Sequence, residues 1–178
     1  MENSLDDSEN SFSENHFSES PFEENPLTEN VKAAVIKALN SLARTEQCRA
    51  SLEKKLAQKD FCKEDISAAL DYLEKRNFLS DERYASLWVR SHCSLKSQGK
   101  IRLMNDLLSR GVKKSVAEKA INEYLEQNPE IELCRKAYKK CVRQGKSSEK
   151  ILKSLAQSGF SYNMIQKVLR SEDNYAAE

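Results

Sequence analysis

Turn residues are scarce in this sequence, with four glycines and three prolines among 178 residues. An all-β domain needs a turn about every 8–12 residues, and Gly and Pro supply most of those conformations. The shortage points to helices. Long apolar runs are missing too, and nothing approaches the ~20 apolar residues of a membrane span. The N-terminus is acidic and lacks the basic start of a signal peptide, so a cytoplasmic location is expected. The histidines are His16 and His92 alone, too few for a zinc site. The cysteines (Cys48, Cys62, Cys93, Cys134, Cys141) are odd in number and show no C-x-x-C spacing. Four of them sit at apolar helix positions, where a free thiol behaves as a small hydrophobe. There is no nucleotide-binding glycine loop, and adjacent Cys93 and His92 would point about 100° apart on a helix. No enzymatic activity, metal or cofactor is expected.

What the chain does have is charge, 32% of its residues, with a net of +1 that hides an asymmetry. Residues 1–30 hold nine acidic residues and no Lys or Arg, while residues 31–178 hold 29 basic and 19 acidic ones. The acidic segment reads FSENH, FSESP, FEENP, LTENV from Phe12, placing Phe12, Phe17, Phe22 and Leu27 five apart. A period of five matches neither a helix nor a strand face, and such a composition buries too little surface to offset its ordering entropy. A disordered acidic tail is expected over 1–30. It is read either as a solvated extension or as a nucleic-acid mimic that folds back on the basic body.

The body repeats itself. Leu52-to-Leu70, Leu103-to-Ile121 and Ile151-to-Leu169 align without gaps. Each has an apolar pair four apart (Leu52/Leu56, Leu103/Leu107, Ile151/Leu155), then a turn residue (Asp60, Gly111, Gly159), then an apolar residue (Phe61, Val112, Phe160). The turn position asks for a residue tolerant of left-handed φ, which Gly or Asp supplies. A further helix precedes each pair, with stripes Val35/Ala38/Leu39/Leu42, Tyr84/Leu87/Trp88/Ser91 and Cys134/Ala137/Tyr138/Cys141 at i, i+3, i+4, i+7. Ser80 and Ser161 are expected N-caps, Ser115 with Glu118 a capping box, and Asn128-Pro129 a helix start. The fold class is therefore all-α: three tandem three-helix, helix-turn-helix-like repeats in an elongated, curved array. The copies span 31–79, 80–127 and 128–171, with a disordered C-terminus over 172–178. A unit of about 50 residues makes a marginal core alone, so the copies are expected to share apolar surface.

One segment is more specific. Phe78, Leu79, Asp81, Arg83, Tyr84 and Ala85, then Trp88, then Gly99, Ile101 and Gly111, resemble the RecX family of RecA-recombinase regulators, over about residues 31–171. Asp60 stands where that pattern has glycine, and the pentapeptide tail is outside it. The resemblance implies a regulator that binds RecA and lies in the groove of its filament on single-stranded DNA. It would restrain filament growth, ATP hydrolysis and strand exchange in recombination and DNA repair. The expected partners are RecA and single-stranded DNA, with duplex DNA as a further candidate. The protein is expected to be a monomer with no membrane partner. The signature itself reads mainly as structural, because its aromatics lie on an apolar stripe.

Charge alone marks copy three. Between Leu133 and Arg170 there are ten basic residues and one acidic residue, Glu149. Lys136, Lys139, Lys140 and Arg143 recur at i, i+3, i+4, i+7, and Lys146, Lys150 and Lys153 continue the set. Copy two adds Arg83, Arg90, Lys100 and Arg102. Nearly unrelieved positive charge favours phosphate or an acidic protein surface over a merely solvated face. Two other readings stay open. One is a helix-turn-helix transcription regulator reading duplex bases with Asn163, Gln166 and Arg170. The other is a helical scaffold for protein partners.

Overall fold

A computed structural model describes residues 27–176, with side chains described as far as Glu172. Among the described residues there are nine α-helices and no strand. Copy one holds α1 (Glu29–Leu42), α2 (Arg49–Ala57) and α3 (Lys63–Lys75). Copy two holds α4 (Asp81–Leu95), α5 (Lys100–Ser109) and α6 (Lys114–Gln127). Copy three holds α7 (Glu130–Arg143), α8 (Ser148–Gln157) and α9 (Tyr162–Ala176). In each copy the first helix packs on the third, most extensively in copies one and two; the short middle helix rests against the third helix in every copy and against the first chiefly in copies one and three.

The repeated turn is the feature most directly written in the residues. Asp60, Gly111 and Gly159 adopt φ of 63°, 87° and 86°. At the last two the next amide reaches back to close the helix end, Val112 N to Leu107 O at 3.2 Å and Phe160 N to Leu155 O at 3.4 Å. The residues that follow, Val112 and Phe160, are buried. This is the Schellman arrangement, in which a left-handed residue satisfies carbonyls the helix would otherwise orphan.

The copies do not pool their apolar surface. Leu52, Leu56, Ile66 and Leu70 help close one core, Leu103, Leu107 and Ile121 a second, and Ile151, Leu155, Ile165 and Val168 a third. The expected shared surface reduces to a few bridging side chains. Cys48 and Ala50 of copy one enter the second core, and Tyr124 and Leu125 pack on the second and third. The reason is geometric: the paired middle-helix residues are spent inside their own three-helix set.

Several expectations need correction. The α4 stripe is rotated by one position: Ala85, Trp88, Val89 and Cys93 are buried, whereas Leu87 and Ser91 are exposed and Tyr84 is half-buried. The bulky Trp88 holds the edge of a stripe built otherwise from small side chains. Ser115 makes no cap, because α6 starts two residues earlier than a Ser115 cap requires; Lys113 holds the N-cap position and Lys114 pairs with Glu118 at 3.8 Å. Ser80 and Ser161 do cap, accepting from Arg83 N at 3.2 Å and Met164 N at 3.4 Å.

Order also begins earlier and ends later than expected. Leu27 packs on the first core, Thr28 Oγ1 accepts from Val31 N at 3.3 Å, and Glu29 starts α1. At the other end α9 runs to Ala176, and Glu172 meets Arg135 at 3.2 Å. An anchored carboxylate keeps the last turns in register. Residues 1–26 of the expected tail lie outside the described residues.

Candidate nucleic-acid interface

What orients the faces of this array is the way its copies join, and the two joints follow one plan. At the first, Asp81 Oδ1, on the opening residue of α4, accepts from Arg49 N at the start of α2 at 2.7 Å. At the second, Glu130 Oε1, on the opening residue of α7, accepts from Lys100 N at the start of α5, also at 2.7 Å. In both, the turn of the later copy sits on the first turn of the earlier copy's middle helix. The Cys48 thiol donates to Arg110 O at 3.3 Å, and Gly99 N donates to Ser158 O at 2.8 Å. A carboxylate at a helix N-terminus satisfies orphan amides and complements the helix dipole. The following copy thus caps the middle helix of the preceding one.

Most of the signature segment is absorbed by the first joint. The Arg83 guanidinium donates to Glu46 Oε1 at 2.9 Å, to Asn77 O at 3.1 Å and to Phe78 O at 3.0 Å, tying the end of copy one to α4. Its donors are spent within the chain. The Arg110 guanidinium lies 5.2 Å over the Trp88 ring and reaches Tyr84 Oη at 3.4 Å. Leu79 and Ala85 are buried, and Gly111 lies against Ala50 with no room for a Cβ. Phe78 and Ile101 are the exceptions, 47% and 53% exposed.

The cations of copy three remain on the surface. Leu133, Cys134 and Cys141 bury one face of α7, leaving Lys136, Lys139, Lys140 and Arg143 on the other side of the helix. Lys136, Lys140 and Arg143, and Lys150 and Lys153 on α8, have no ion-pair partner among the described residues. Lys139 lies 3.9 Å from Glu172, and Lys146 is half-buried with its amine 3.3 Å from Ser154 Oγ. Lys136, Lys139 and Arg143, with the Glu172 carboxylate among them, rim a groove of about 630 Å³ whose apolar lining is Tyr138 and Val142. In copy two Arg102 pairs with Asp106 at 3.1 Å, Lys100 Nζ donates to Asn122 Oδ1 at 2.9 Å, and Arg90 shares a small pocket with Glu123 and Glu126. The cationic surface of copy two is therefore partly neutralised, and that of copy three much less so. On α9, Asn163 and Arg170 are exposed and Gln166 is half-buried.

Sequence reasoning missed the joint residues Glu46, Cys48, Asp81 and Glu130 as a connected set. One signal was available, since Cys48 and Gly99 stand at the same register of the gapless alignment, twelve residues before Asp60 and Gly111.

The thiols of Cys48, Cys62, Cys93 and Cys134 are all held above the ordinary thiol range. Burial pushes Cys48 and Cys93 up and Cys134 up to about 11. Exposed Cys62 is raised chiefly by its hydrogen bond to the Asp65 carboxylate. Among the described residues there is no cluster of His, Cys, Asp or Glu fit for a metal and no helix long and apolar enough to cross a membrane.

Three helical copies joined by one capping plan, with a cationic flank concentrated on the last, define a helical-repeat protein of the tandem three-helix class. Family models agree in detail: that for the second three-helix domain of RecX matches residues 80–121, and that for the first matches residues 34–73. Regulatory protein RecX of Clostridioides difficile is 30% identical over 145 residues, covering 78% of this chain and 68% of that protein. Its counterpart from Treponema pallidum is 27% identical over 135 residues, covering 76% and 82%. The crystal structure of RecX from Lactobacillus salivarius aligns with a TM-score of 0.73 at 25% identity, over 83% of this chain and 99% of that one. The chain belongs to the RecX family.

Proposed function

We propose that this protein is a monomeric regulator that binds RecA and its single-stranded DNA filament. It lies in the filament groove and restrains filament extension, ATP hydrolysis and strand exchange. The observation that carries this reading is the set of exposed cations Lys136, Lys140, Arg143, Lys150 and Lys153 on α7 and α8, none of them ion-paired among the described residues, at the end of a RecX-type array. In this reading the copies 31–79, 80–127 and 128–171 act as three rungs of fixed relative orientation. Lys136, Lys139, Lys140, Arg143, Lys150 and Lys153 meet phosphates. Lys100, Arg102, Arg90 and the exposed apolar side chains Phe78 and Ile101 face RecA, while Arg83 and Lys146 hold local geometry. Each phosphate contact releases counterions, which makes the DNA component of binding sequence-independent and salt-sensitive. Bridging successive subunits and the DNA backbone makes each rearrangement of the filament costlier.

The test is RecA ATP hydrolysis on single-stranded DNA with this protein added below the RecA concentration. Inhibition at substoichiometric ratios is expected. No inhibition at any ratio overturns the proposal, and preferential binding to an operator-like duplex would favour a transcription regulator instead.

A further inference from the structure

Among the described residues one polar side chain is buried, that of Gln47, at 5% exposure. Its Nε2 donates to Ser41 O at 3.0 Å and to Ser41 Oγ at 2.7 Å, which closes the end of α1. Its Oε1 is given to a surface cation instead of the backbone, accepting from Lys55 Nζ at 2.6 Å. Lys55 Nζ also donates to Ser41 Oγ at 3.3 Å. A buried carboxamide is costly unless bonded, and half of this one's bonding fixes an ammonium in place. Lys55 keeps a third hydrogen to donate, and Ser41 Oγ, accepting twice, keeps its own.

Ser41 and Lys55 border a cleft of about 220 Å³ between α1 and α2. Lys37, Lys59 and the Gln58 amide stand around it, over a floor of Leu52 and Leu56. Neither Lys37 nor Lys59 is ion-paired among the described residues. No carboxylate lines this cleft: Glu46 is held by Arg83, and Glu53 and Asp60 lie outside the lining. Other clefts differ on this point. The α7 groove contains Glu172, the cleft beside Ile101 contains Glu130, and the one beside Arg90 contains Glu123 and Glu126. Repetition does not account for the site either, because Asp106 and Ser154 stand at the position of Lys55 in the gapless alignment.

We propose that the α1–α2 cleft binds a phosphate group. Lys55 and Ser41 donate hydrogen bonds to its oxygens, and Lys37 and Lys59 complete the charge. Lysines suit this task as point charges that need no fixed approach. Gln47 acts as a positioning residue, since an ammonium already held in place loses less freedom on binding. The cleft is smaller than the roughly 300–1,000 Å³ of ordinary ligand pockets, which fits one anionic group better than a whole nucleoside. The phosphate belongs to a single-stranded DNA backbone or to a free phosphate ester. The first source rests on the DNA-binding reading above and adds a contact on copy one; the anion site itself does not rest on it.

The test uses the full chain, with neither RecA nor DNA in its first arm. Inorganic pyrophosphate titrated at fixed ionic strength should shift the amides of Ser41, Gln47 and Lys55 to Lys59 saturably, and sodium chloride should not. The Lys37→Gln, Lys55→Gln, Lys59→Gln variant changes exposed side chains only, and should keep the fold and lose the shifts. Gln47→Met retains every lysine but releases Lys55, and should weaken pyrophosphate about 3- to 10-fold, the contribution of one hydrogen bond. In the second arm, on a labelled thymidine oligonucleotide, the triple variant should flatten the slope of log K against log salt by about 0.7.

Absent shifts, shifts reproduced by chloride, or shifts that survive in the triple variant overturn the site. Unchanged pyrophosphate affinity in a folded Gln47→Met variant overturns the positioning role. Shifts with a flattened DNA slope support the site and assign its phosphate to DNA. Shifts with an unchanged slope support it and assign the phosphate to a free ester. A protein that binds pyrophosphate here but no DNA at all would refute the DNA-binding reading and leave this site standing.

Discussion

Gly99 donates its amide to the carbonyl of Ser158 at 2.8 Å, across the boundary between copies two and three. The bond is possible because the two backbones touch: a Cβ on Gly99 would collide with the Gly159 carbonyl and the Phe160 amide. At the first boundary the Cys48 thiol does the same work toward Arg110 O. The array is held at each joint by a backbone carbonyl and a capping carboxylate.

The joint predicts a contrast between two glycines. Gly99 has an ordinary φ of −83°, so the cost of Gly99→Ala comes from collision with backbone. It should destabilise by about 1–3 kcal/mol, as overpacking does. Amide exchange should accelerate on both sides of the boundary, at the start of α5 and around Gly159. Gly145 has a φ of 66° and open space around it. Gly145→Ala should cost about 1–2 kcal/mol of conformational strain, with faster exchange confined to the α7–α8 turn. Equal exchange patterns for the two variants would refute the close approach.

Separate cores predict local damage. Leu107 is fully buried in the second core, and Leu107→Ala should cost about 2–5 kcal/mol. Hydrogen exchange should rise across α4 to α6 while α1 to α3 keep most of their protection. A uniform rise over all nine helices would show one cooperative core instead.

The buried Cys134 predicts a loss of stability in alkali. Its thiol, ordinarily near 9, is pushed up to about 11 mainly by desolvation. Between those values the unfolded chain has released the proton and the native one still holds it, so stability falls as pH rises. Below about pH 9 the term is fully favourable. Urea melts of wild type and Cys134→Ala should therefore converge on going from pH 8 to pH 11. A difference that stays constant would contradict the assignment. Exposed Cys62 should react first with a thiol reagent on the folded protein.

Much of this fold was legible because its signals are local. A left-handed turn demands Gly or Asp, and Asp60, Gly111 and Gly159 announce three of them. The apolar pairs four apart before each turn mark one helical face. The α4 face was misread because Tyr84, Leu87 and Trp88 offer a bulkier apolar series than the small residues Ala85, Val89 and Cys93 that are buried with Trp88. The joints were hidden for a different reason: contacts between Gly99, Ser158 and Gly159 are made by backbone, which leaves little trace in side-chain pattern. Charge was half legible. The α7 ladder followed from spacing, but the pairing of Arg83 with Glu46 and of Lys139 with Glu172 depends on residues that folding brings from far along the chain.

The most direct test of the account is the salt dependence of single-stranded DNA binding by wild type and by a variant with Lys136, Lys139, Lys140 and Arg143 all changed to Gln. For every phosphate that α7 no longer neutralises, the slope of log K against log salt should flatten by about 0.7. The fourfold variant should therefore show a slope shallower by roughly 2–3 units, with binding weakened most at low salt. A variant with the affinity and slope of the wild type would contradict the claim that α7 carries the DNA-binding face.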